Sequence, residues 1–215
     1  MNPMALLSKW FDEARRRLVR DQGLPLPMLA RKGLRYAREV LAAPLYLRAV
    51  DRLGSNVRTN GRPRIENFGR MTIGSGTLLR SVNVPVELAT GVGGVLEIGE
   101  NVRLNYGVSI GAMKSIRIGD RVRIGPYVML IDTEFHDAYD REKMPPPRPI
   151  VIEDDVWIAA KAAVMPGVTI GRGSIVGTSS VVTADVPAFS VVAGIPARVV
   201  RRLDPDRFVQ APRAG

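Results

Sequence analysis

The sequence feature that most constrains this chain is an apolar residue that recurs every six positions. In the C-terminal part it falls at Ile152, Ile158, Val164, Ile170, Val176 and Val182. The same period occurs upstream at Ile98, Leu104 and Ile110, and after a slip of two residues at Ile118, Ile124 and Leu130. An α-helix repeats about every 3.6 residues and a flat strand about every two, so neither explains a period of six.

A second position in each repeat and a set of glycines show how the chain bends. A small or β-branched residue follows four positions later, at Val156, Ala162, Val168, Ser174, Ser180 and Val186. Glycine often stands directly after the large apolar residue, as at Gly111 and Gly177. The pattern predicts short flat runs separated by tight bends, with three hexapeptides in each triangular coil. Stacked coils share one interior, so we predict an all-β solenoid, a parallel β-helix, over residues 55–203.

The longest interruption of the repeat lies between Leu130 and Ile152 and contains His136, the only histidine of the chain. Loops of this length are uncommon in compact folds unless they are functional or disordered. Because the period resumes in phase afterwards, we interpret residues 132–149 as an insertion that a rigid scaffold tolerates. The alternative is a solvated surface loop with no role.

Composition excludes several classes of protein. The chain of 215 residues has no cysteine, which excludes a disulfide framework, a thiolate nucleophile and a zinc–thiolate site. No apolar stretch reaches the roughly 18 residues needed to cross a bilayer, and no signal peptide is apparent. We therefore expect a cytoplasmic protein with no metal.

The N-terminal part of the chain is strongly basic. The net charge is +10, and residues 1–58 hold twelve Lys and Arg against five acidic residues. Two runs have apolar residues at helical spacing next to basic ones. The first comprises Leu7, Trp10, Phe11, Ala14 and Leu18, and the second comprises Ala30, Leu34, Ala37 and Leu41. Pro44 suits the first turn of a third short helix that Gly54 would end. We predict a basic helical extension over residues 1–54, followed by the solenoid, and a tail over residues 204–215.

Three roles are open for this extension. It is expected to cover one end of the solenoid, because an uncapped coil exposes apolar edges. A basic amphipathic helix also binds anionic lipid, so residues 1–53 are expected to contact the inner membrane surface peripherally. Nucleic-acid binding is disfavoured, since positive charge is a weak signal and no reader motif accompanies it.

The hexapeptide array, the His136 loop and the run from Asp154 to Arg201 resemble the hexapeptide-repeat acyltransferases. The nearest branch holds maltose, galactoside and nodulation-factor acetyltransferases and the O-acetyltransferases of bacterial surface polysaccharides. The resemblance covers about residues 65–203. It implies a left-handed β-helix, a homotrimer with active sites between subunits, and acetyl-coenzyme A as the acyl donor.

The chemistry of acetyl transfer to a sugar agrees with a role for His136. An alcohol is a poor nucleophile at neutral pH, so a base must take its proton as it attacks. Imidazole has a pKa near neutrality and suits this task. The resemblance implies the same assignment, because the equivalent histidine of the family is the catalytic base.

The resemblance also implies residues for the acceptor and the coenzyme. Asn105 matches an asparagine of the family's acceptor site. Four acidic residues lie near His136 in the sequence: Asp132, Glu134, Asp137 and Asp140. They either orient the imidazole, bind the hydroxyl groups of the sugar, or are solvated charges with no role. The coenzyme is expected to contact Trp157, Ala159, Ala160, Lys161, Thr178 and Ser179. Arg198 and Arg201 are expected to pair with its phosphates through their forked donors.

Several activities remain as alternatives to O-acetylation of a glycan. N-acetylation of an amino sugar or nucleotide sugar would use the same base, and a non-catalytic β-helix is the non-enzyme alternative. A carbonic anhydrase of this fold needs three histidines for its zinc, and this chain has one. The helical domain and the histidine–aspartate pair of serine acetyltransferase are not evident.

Overall fold

Short strands separated by tight corners make up most of the chain in the computed structural model, which describes residues 25–208. The elements in chain order are α1 (Leu26–Tyr46), β1 (Arg52–Leu53), β2 (Arg58–Asn60), β3 (Arg64–Asn67), β4 (Arg70–Ile73), β5 (Leu78–Arg80), β6 (Glu87–Thr90), β7 (Val95–Ile98), β8 (Arg103–Leu104), β9 (Ser109–Ala112), β10 (Ser115–Ile118), β11 (Arg123–Ile124), β12 (Met129–Ile131), β13 (Ile150–Ile152), β14 (Trp157–Ile158), β15 (Ala163–Val164), β16 (Thr169–Ile170), β17 (Ile175–Val176), β18 (Val181–Val182), β19 (Ser190–Gly194), β20 (Ala197–Arg202) and a 3-10 turn (Pro205–Arg207).

The strands stack into three sheets that the chain visits in rotation. Sheet A has the order β1-β4-β7-β10-β13-β16, sheet B the order β2-β5-β8-β11-β14-β17-β19-β20, and sheet C the order β3-β6-β9-β12-β15-β18. Neighbours within each sheet are parallel, except for the pair β19 and β20. Each coil thus contributes one strand to each sheet, which confirms the predicted hexapeptide β-helix.

The six-residue period places at least one apolar side chain of each strand from β4 to β19 inside the coil. Leu104, Ile124 and Ile158 are register partners across sheet B, and all three are buried. The small residue four positions later is buried as well, at Val156, Ala162 and Ser174 among others. These two positions per repeat form one continuous apolar core along the solenoid.

The corners force the backbone into the left-handed region. At the corner between sheets B and C this residue is Gly107, then Tyr127, then Lys161 and then Ser179, with φ of 67°, 57°, 61° and 57°. A Cβ on Gly107 would lie 2.6 Å from the Tyr127 ring, so glycine is needed where that ring covers the corner.

One helix, α1, precedes the strands in the described part of the chain. The predicted third helix is wrong: Pro44 lies inside α1, and Arg52–Leu53 already form β1. The chain continues as helix past Pro44 because Ala43 and Leu47 are buried in the core, and Leu47 N–H donates to the Ala43 carbonyl at 2.9 Å. The first predicted run, Leu7 to Leu18, lies outside the described residues.

The compact unit that contains the sheets begins at Glu39, within α1. Glu39 is buried and lies 3.5 Å from the Arg58 guanidinium of β2. Together with Ala43 and Leu47 this pair fixes the last turns of α1 on the solenoid. Within residues 25–208 no helix is long and apolar enough to cross a membrane.

Candidate active site

The loop that contains His136 joins β12 of sheet C to β13 of sheet A. Its two ends are held together, since Arg148 N–H donates to the Asp132 carbonyl at 2.8 Å. The chain then re-enters sheet A in register, with Ile150 opposite Ile116 of the preceding coil. The loop therefore leaves the scaffold at one corner without disturbing the sheets.

Asp132 at the start of this loop is fully buried. Its carboxylate accepts hydrogen bonds from the backbone N–H groups of Met113, Lys114 and Ser115 at 2.7, 2.8 and 2.7 Å. Both carboxylate oxygens are thus occupied by the corner Met113–Ser115 of the preceding coil. This geometry gives Asp132 a structural role and leaves it no open face toward an acceptor sugar.

Asp137 organises the middle of the loop. Its carboxylate accepts from Tyr139 N–H at 2.8 Å and from Asp140 N–H at 3.1 Å, and these two donors hold the pKa of Asp137 below its usual value. Its backbone N–H donates to the Lys143 carbonyl at 2.9 Å. The aspartates near His136 thus fix the turn: Asp137 through these donors and Asp140 through an ion pair with Lys143 at 3.2 Å.

The His136 side chain is exposed and makes one hydrogen bond, from Nδ1 to the Arg141 carbonyl oxygen at 2.8 Å. A carbonyl only accepts, so Nδ1 carries a proton and Nε2 is the ring nitrogen left for another partner. The preceding residue, Phe135, has φ of 57°, a left-handed conformation that is uncommon for an aromatic residue. The loop thus holds an exposed imidazole by one ring nitrogen, Nδ1.

The orienting partner of His136 was missed by sequence reasoning, which considered the nearby carboxylates. It is a backbone carbonyl, and no residue type marks such a group in a sequence. Glu134, the remaining candidate, pairs with Arg148 at 2.9 Å, and its own backbone carbonyl accepts from His136 N–H at 2.7 Å. Its carboxylate remains partly exposed.

The residues expected to bind the coenzyme lie on sheet B and at its corner with sheet C. Ala159, Ala160 and Lys161 follow β14, and Thr178 and Ser179 follow β17 one coil later. The two corners stack, since Ser179 N–H donates to the Ala160 carbonyl at 2.9 Å. Ala159 N–H donates a hydrogen bond to the Val176 carbonyl at 2.9 Å. Within residues 25–208, Ala160 N–H has no hydrogen-bond acceptor.

Asn105 occupies the same edge two coils earlier, at the corner that follows β8. Its side-chain oxygen accepts from Tyr106 N–H at 3.1 Å, and the residue is half-buried. The structure therefore groups Asn105 with the expected coenzyme residues rather than with the His136 loop.

The outer face of sheet B presents one file of side chains in register. In order along the sheet the file comprises Arg103, Arg123, Trp157, Ile175, Val191 and Arg201. Trp157 is 50% exposed on this face. Arg198 lies opposite Ala193 on the same outer face, and its guanidinium donates to its neighbour's carbonyl, that of Ala197, at 2.9 Å.

A single chain does not bring the two groups of predicted residues together. The His136 loop lies at the corner from sheet C to sheet A, whereas Trp157 and Lys161 lie on sheet B and at the corner from B to C. In the part of the chain that the structure describes, no three His, Cys, Asp or Glu side chains form a group suited to a metal ion.

Comparisons with known proteins place this geometry in context. A family model described as Bacterial transferase hexapeptide (six repeats) matches residues 149–184. Galactoside O-acetyltransferase of Escherichia coli K12 is 37% identical over 114 residues, which are 52% of this chain and 56% of that protein. The chain thus spans just over half the length of this relative.

Two further proteins match over more of their length. WbbJ of Escherichia coli K12, named as a lipopolysaccharide biosynthesis O-acetyl transferase, is 30% identical over 141 residues, which cover 57% of this chain and 72% of that protein. The crystal structure of the hexapeptide-repeat containing acetyltransferase VCA0836 from Vibrio cholerae superimposes with a TM-score of 0.55 at 26% identity, covering 93% of both chains.

Proposed function

Because this chain belongs to the hexapeptide-repeat acetyltransferases, we propose that it transfers an acetyl group from acetyl-coenzyme A to a sugar hydroxyl of a cell-surface glycan. The observation that carries the proposal is the exposed His136, whose Nδ1 donates to the Arg141 carbonyl and so leaves Nε2 for an acceptor hydroxyl. The glycan acceptor is supported by the names of two relatives, a galactoside and a lipopolysaccharide O-acetyltransferase.

The proposed mechanism begins with proton transfer to His136. As the acceptor oxygen attacks, its proton passes to Nε2, and the resulting imidazolium keeps its Nδ1–H bond to the Arg141 carbonyl. Acetyl-coenzyme A would supply a thioester whose carbonyl carbon forms the new C–O bond. The C–S bond would then break, and the proton on Nε2 would pass to the leaving sulfur, so that coenzyme A departs as a thiol and His136 is regenerated. We assign the free Ala160 N–H as the donor to the oxygen that becomes negative there, since Ala159 N–H is already paired.

The residues on sheet B fit an extended thioester donor. Ala159 and Ala160 have small side chains at a corner where a bulky ligand must approach the backbone, and Trp157 offers an exposed apolar surface two residues before Ala159. Lys161, Thr178 and Ser179 continue the corner. The exposed guanidinium groups of Arg198 and Arg201 lie toward the end of the same sheet, where they are suited to the coenzyme phosphates.

A homotrimer would complete the site. The base and the donor residues occupy different corners of each triangular coil, so a single chain holds half of each site. Three copies around one axis would place the His136 loop of one subunit against sheet B of the next. We therefore propose that catalysis requires assembly.

We also propose that α1 contacts an anionic membrane surface from the cytoplasmic side, where acetyl-coenzyme A is made. One stripe of α1 is apolar and exposed, at Leu26, Ala30, Leu34, Leu41 and Leu45. Basic residues flank it, including Arg31 and Arg38, which are exposed. An apolar stripe with cations beside it is typical of helices that lie in the lipid headgroup region.

A transfer assay tests the proposed activity. Release of free coenzyme A thiol from acetyl-coenzyme A should depend on an added glycan, and the product should carry an acetyl ester. Mild alkali cleaves an O-acetyl ester and leaves an N-acetyl amide intact, so this treatment separates the proposed function from N-acetylation. A panel of bacterial glycans that gives no release above the hydrolysis background would contradict the proposal.

A further inference from the structure

Two tyrosines lie in successive coils at the corner between sheets B and C. Tyr106 follows β8 and Tyr127 follows β11, and Tyr127 N–H donates to the Tyr106 carbonyl at 3.1 Å. Their rings meet edge to face, with 5.5 Å between the centroids and 87° between the planes. This is a favourable geometry for two aromatic rings, so Tyr106 holds the Tyr127 ring in one orientation.

The Tyr127 ring is held from a second side by the backbone of the preceding coil. A Cβ on Gly107 would lie 2.6 Å from Cδ1 and 2.8 Å from Cε1 of the ring, so the ring rests directly on this glycine. Tyr127 itself has φ of 57°, a left-handed conformation that is uncommon for an aromatic residue. The corner therefore presents a tyrosine ring in a fixed position.

A corner near the end of the solenoid repeats this arrangement but covers its ring. Phe189 has φ of 53°, rests on Gly173 and meets the Phe208 ring at 5.5 Å and 73°. Both phenylalanines are half-buried, because the chain after β20 folds over the corner. Tyr127 is 47% exposed. Packing within the chain thus accounts for Phe189, whereas much of the Tyr127 ring is open to another molecule.

Polar groups without a partner lie at the same corner as the exposed ring. The Asn105 side-chain oxygen accepts from Tyr106 N–H at 3.1 Å, which leaves the amide NH₂ of Asn105 as a donor. Among residues 25–208 this NH₂ has no acceptor, and the hydroxyls of Tyr106 and Tyr127 make no hydrogen bond. An aromatic surface with amide and hydroxyl groups nearby is suited to a sugar, which has C–H bonds on a ring face and hydroxyls around its edge.

The position of Tyr127 along the solenoid indicates which substrate it would meet. Lys161 N–H donates to the Pro126 carbonyl at 2.8 Å, so the corner that holds Tyr127 stacks directly on the corner that holds Ala160. Neighbouring strands are about 4.8 Å apart, so one coil separates Tyr127 from the N–H assigned to the thioester oxygen. The other residues proposed for the donor, Thr178 and Ser179, continue in the opposite direction. The side of Tyr127 is therefore left for the acceptor.

We propose that Tyr127, held by Tyr106, is an acceptor subsite on which one pyranose ring of the glycan stacks, while the Asn105 amide donates to a ring hydroxyl. This inference rests on the proposed acetyl transfer and adds the substrate class. The polarised C–H bonds of a sugar face lie against the negative face of the tyrosine ring. A galactopyranose has such a face, whereas a ring-opened alditol does not.

Binding of a simple sugar to the intact protein tests the inference without any catalytic step. Saturation-transfer NMR with methyl β-galactopyranoside should show transfer from the protein, greatest at the ring protons of the C–H face. Galactitol, the ring-opened counterpart, should receive little. Tyr127→Asn should abolish the transfer and still fold, since asparagine tolerates a left-handed φ. Tyr127→Phe, which keeps the ring, should retain it.

A control variant removes an exposed aromatic residue elsewhere. Phe68 is exposed at the corner between β3 and β4, and Phe68→Asn should leave the transfer to the galactoside unchanged. Tyr127→Gly supplies a second loss of the ring, because glycine occupies this corner position one coil earlier, at Gly107. Circular dichroism verifies that each variant is folded. No transfer from the parent protein, or transfer that survives both losses of the ring, would overturn the inference.

Kinetics then separate the acceptor from the donor. Tyr127→Asn should raise KM for a galactoside acceptor about tenfold and leave KM for acetyl-coenzyme A unchanged. A raised KM for acetyl-coenzyme A alone would assign the ring to the donor, and equal losses in Tyr127→Phe and Tyr127→Asn would assign the hydroxyl instead of the ring face; either result overturns the inference. Galactoside binding that depends on Tyr127 in a protein that transfers no acetyl group would instead contradict the proposed function and leave this subsite standing.

Discussion

His136 and Asp132 lie in the same loop, yet their surroundings are opposite. Asp132 is fully buried and accepts three backbone N–H groups, whereas the exposed His136 imidazole has one partner, the Arg141 carbonyl. We therefore expect the first residue to matter for stability, and we propose that the second takes part in the chemistry. Substitutions at the two positions should separate these effects.

Replacing His136 with alanine should lower acetyl transfer on the order of a hundredfold or more, because the proposed general base is the one histidine of the sequence. Folding should be retained, since the imidazole is exposed. Steady-state rates, together with circular dichroism and acetyl-coenzyme A binding, measure both effects. Glu142→Gln, an exposed change in the same loop, is the control. Activity of His136→Ala within a few-fold of the parent would remove His136 from the mechanism.

Replacing Asp132 with asparagine should destabilise the fold by about 2–4 kcal/mol, because an amide NH₂ would then face backbone N–H donors that the carboxylate satisfied. Urea unfolding measures the loss. Asp140→Asn, at a surface ion pair of the same loop, should cost less than about 0.5 kcal/mol. Equal stability of the two variants would show that the buried hydrogen bonds of Asp132 matter little.

Secondary elements show where the sequence was sufficient and where it was not. The six-residue period specifies the strands, since Ile124 and Ile158 face inward in register. The end of α1 was mispredicted because proline is common in the first turn of a helix, so Pro44 indicated a new helix. Burial of Leu47, a tertiary effect, keeps α1 continuous past Pro44. The role of Asp132 depends on burial and on backbone donors from another coil, which no local pattern encodes.

The loop 132–149 should lose part of its order as the pH falls. The pKa of Asp137 is lowered in the folded protein by the N–H groups of Tyr139 and Asp140, so its stabilisation is complete at neutral pH. It is lost as the pH falls through the ordinary value of 3.8 toward the lower folded value. Hydrogen exchange at the Tyr139 and Asp140 amides, corrected for intrinsic rates, measures this. Asp137→Asn should abolish the pH dependence, and unchanged protection in the parent at low pH would contradict the prediction.

The two faces of α1 should respond differently to substitution. Leu34 and Leu41 are 74% and 79% exposed, so changing both to glutamate should abolish salt-sensitive binding to anionic vesicles while the melting temperature stays the same. Leu47→Ala should instead lower stability by about 2–5 kcal/mol, since Leu47 is buried in the core. Vesicle co-sedimentation and thermal melts distinguish the faces. Vesicle binding that survives the double glutamate change would contradict the membrane contact.

At the scale of the whole molecule, the separation of His136 from Trp157 gives the proposed assembly a direct test. Subunits with His136→Ala retain the donor surface, and subunits with Trp157→Ala retain the base. If the two variants assemble at random into trimers, each site has about a one-in-four chance of combining an intact His136 with an intact Trp157. Refolding the two variants together should therefore restore about a quarter of the parental activity. A mixture no more active than either variant alone, or an active monomer in sedimentation, would contradict a shared site.

The last strand has a consequence for growth of the stack. Every neighbouring pair in sheet B is parallel until β20, which runs antiparallel to β19 and places Arg198, Arg201 and Arg202 along the final edge. An open parallel edge would be a template for another chain, and repeated charge on an edge strand discourages such pairing. The antiparallel, charged strand β20 therefore ends the stack of coils and prevents another chain from extending it. A protein shortened before Ala197 would then be prone to join end to end into fibrils.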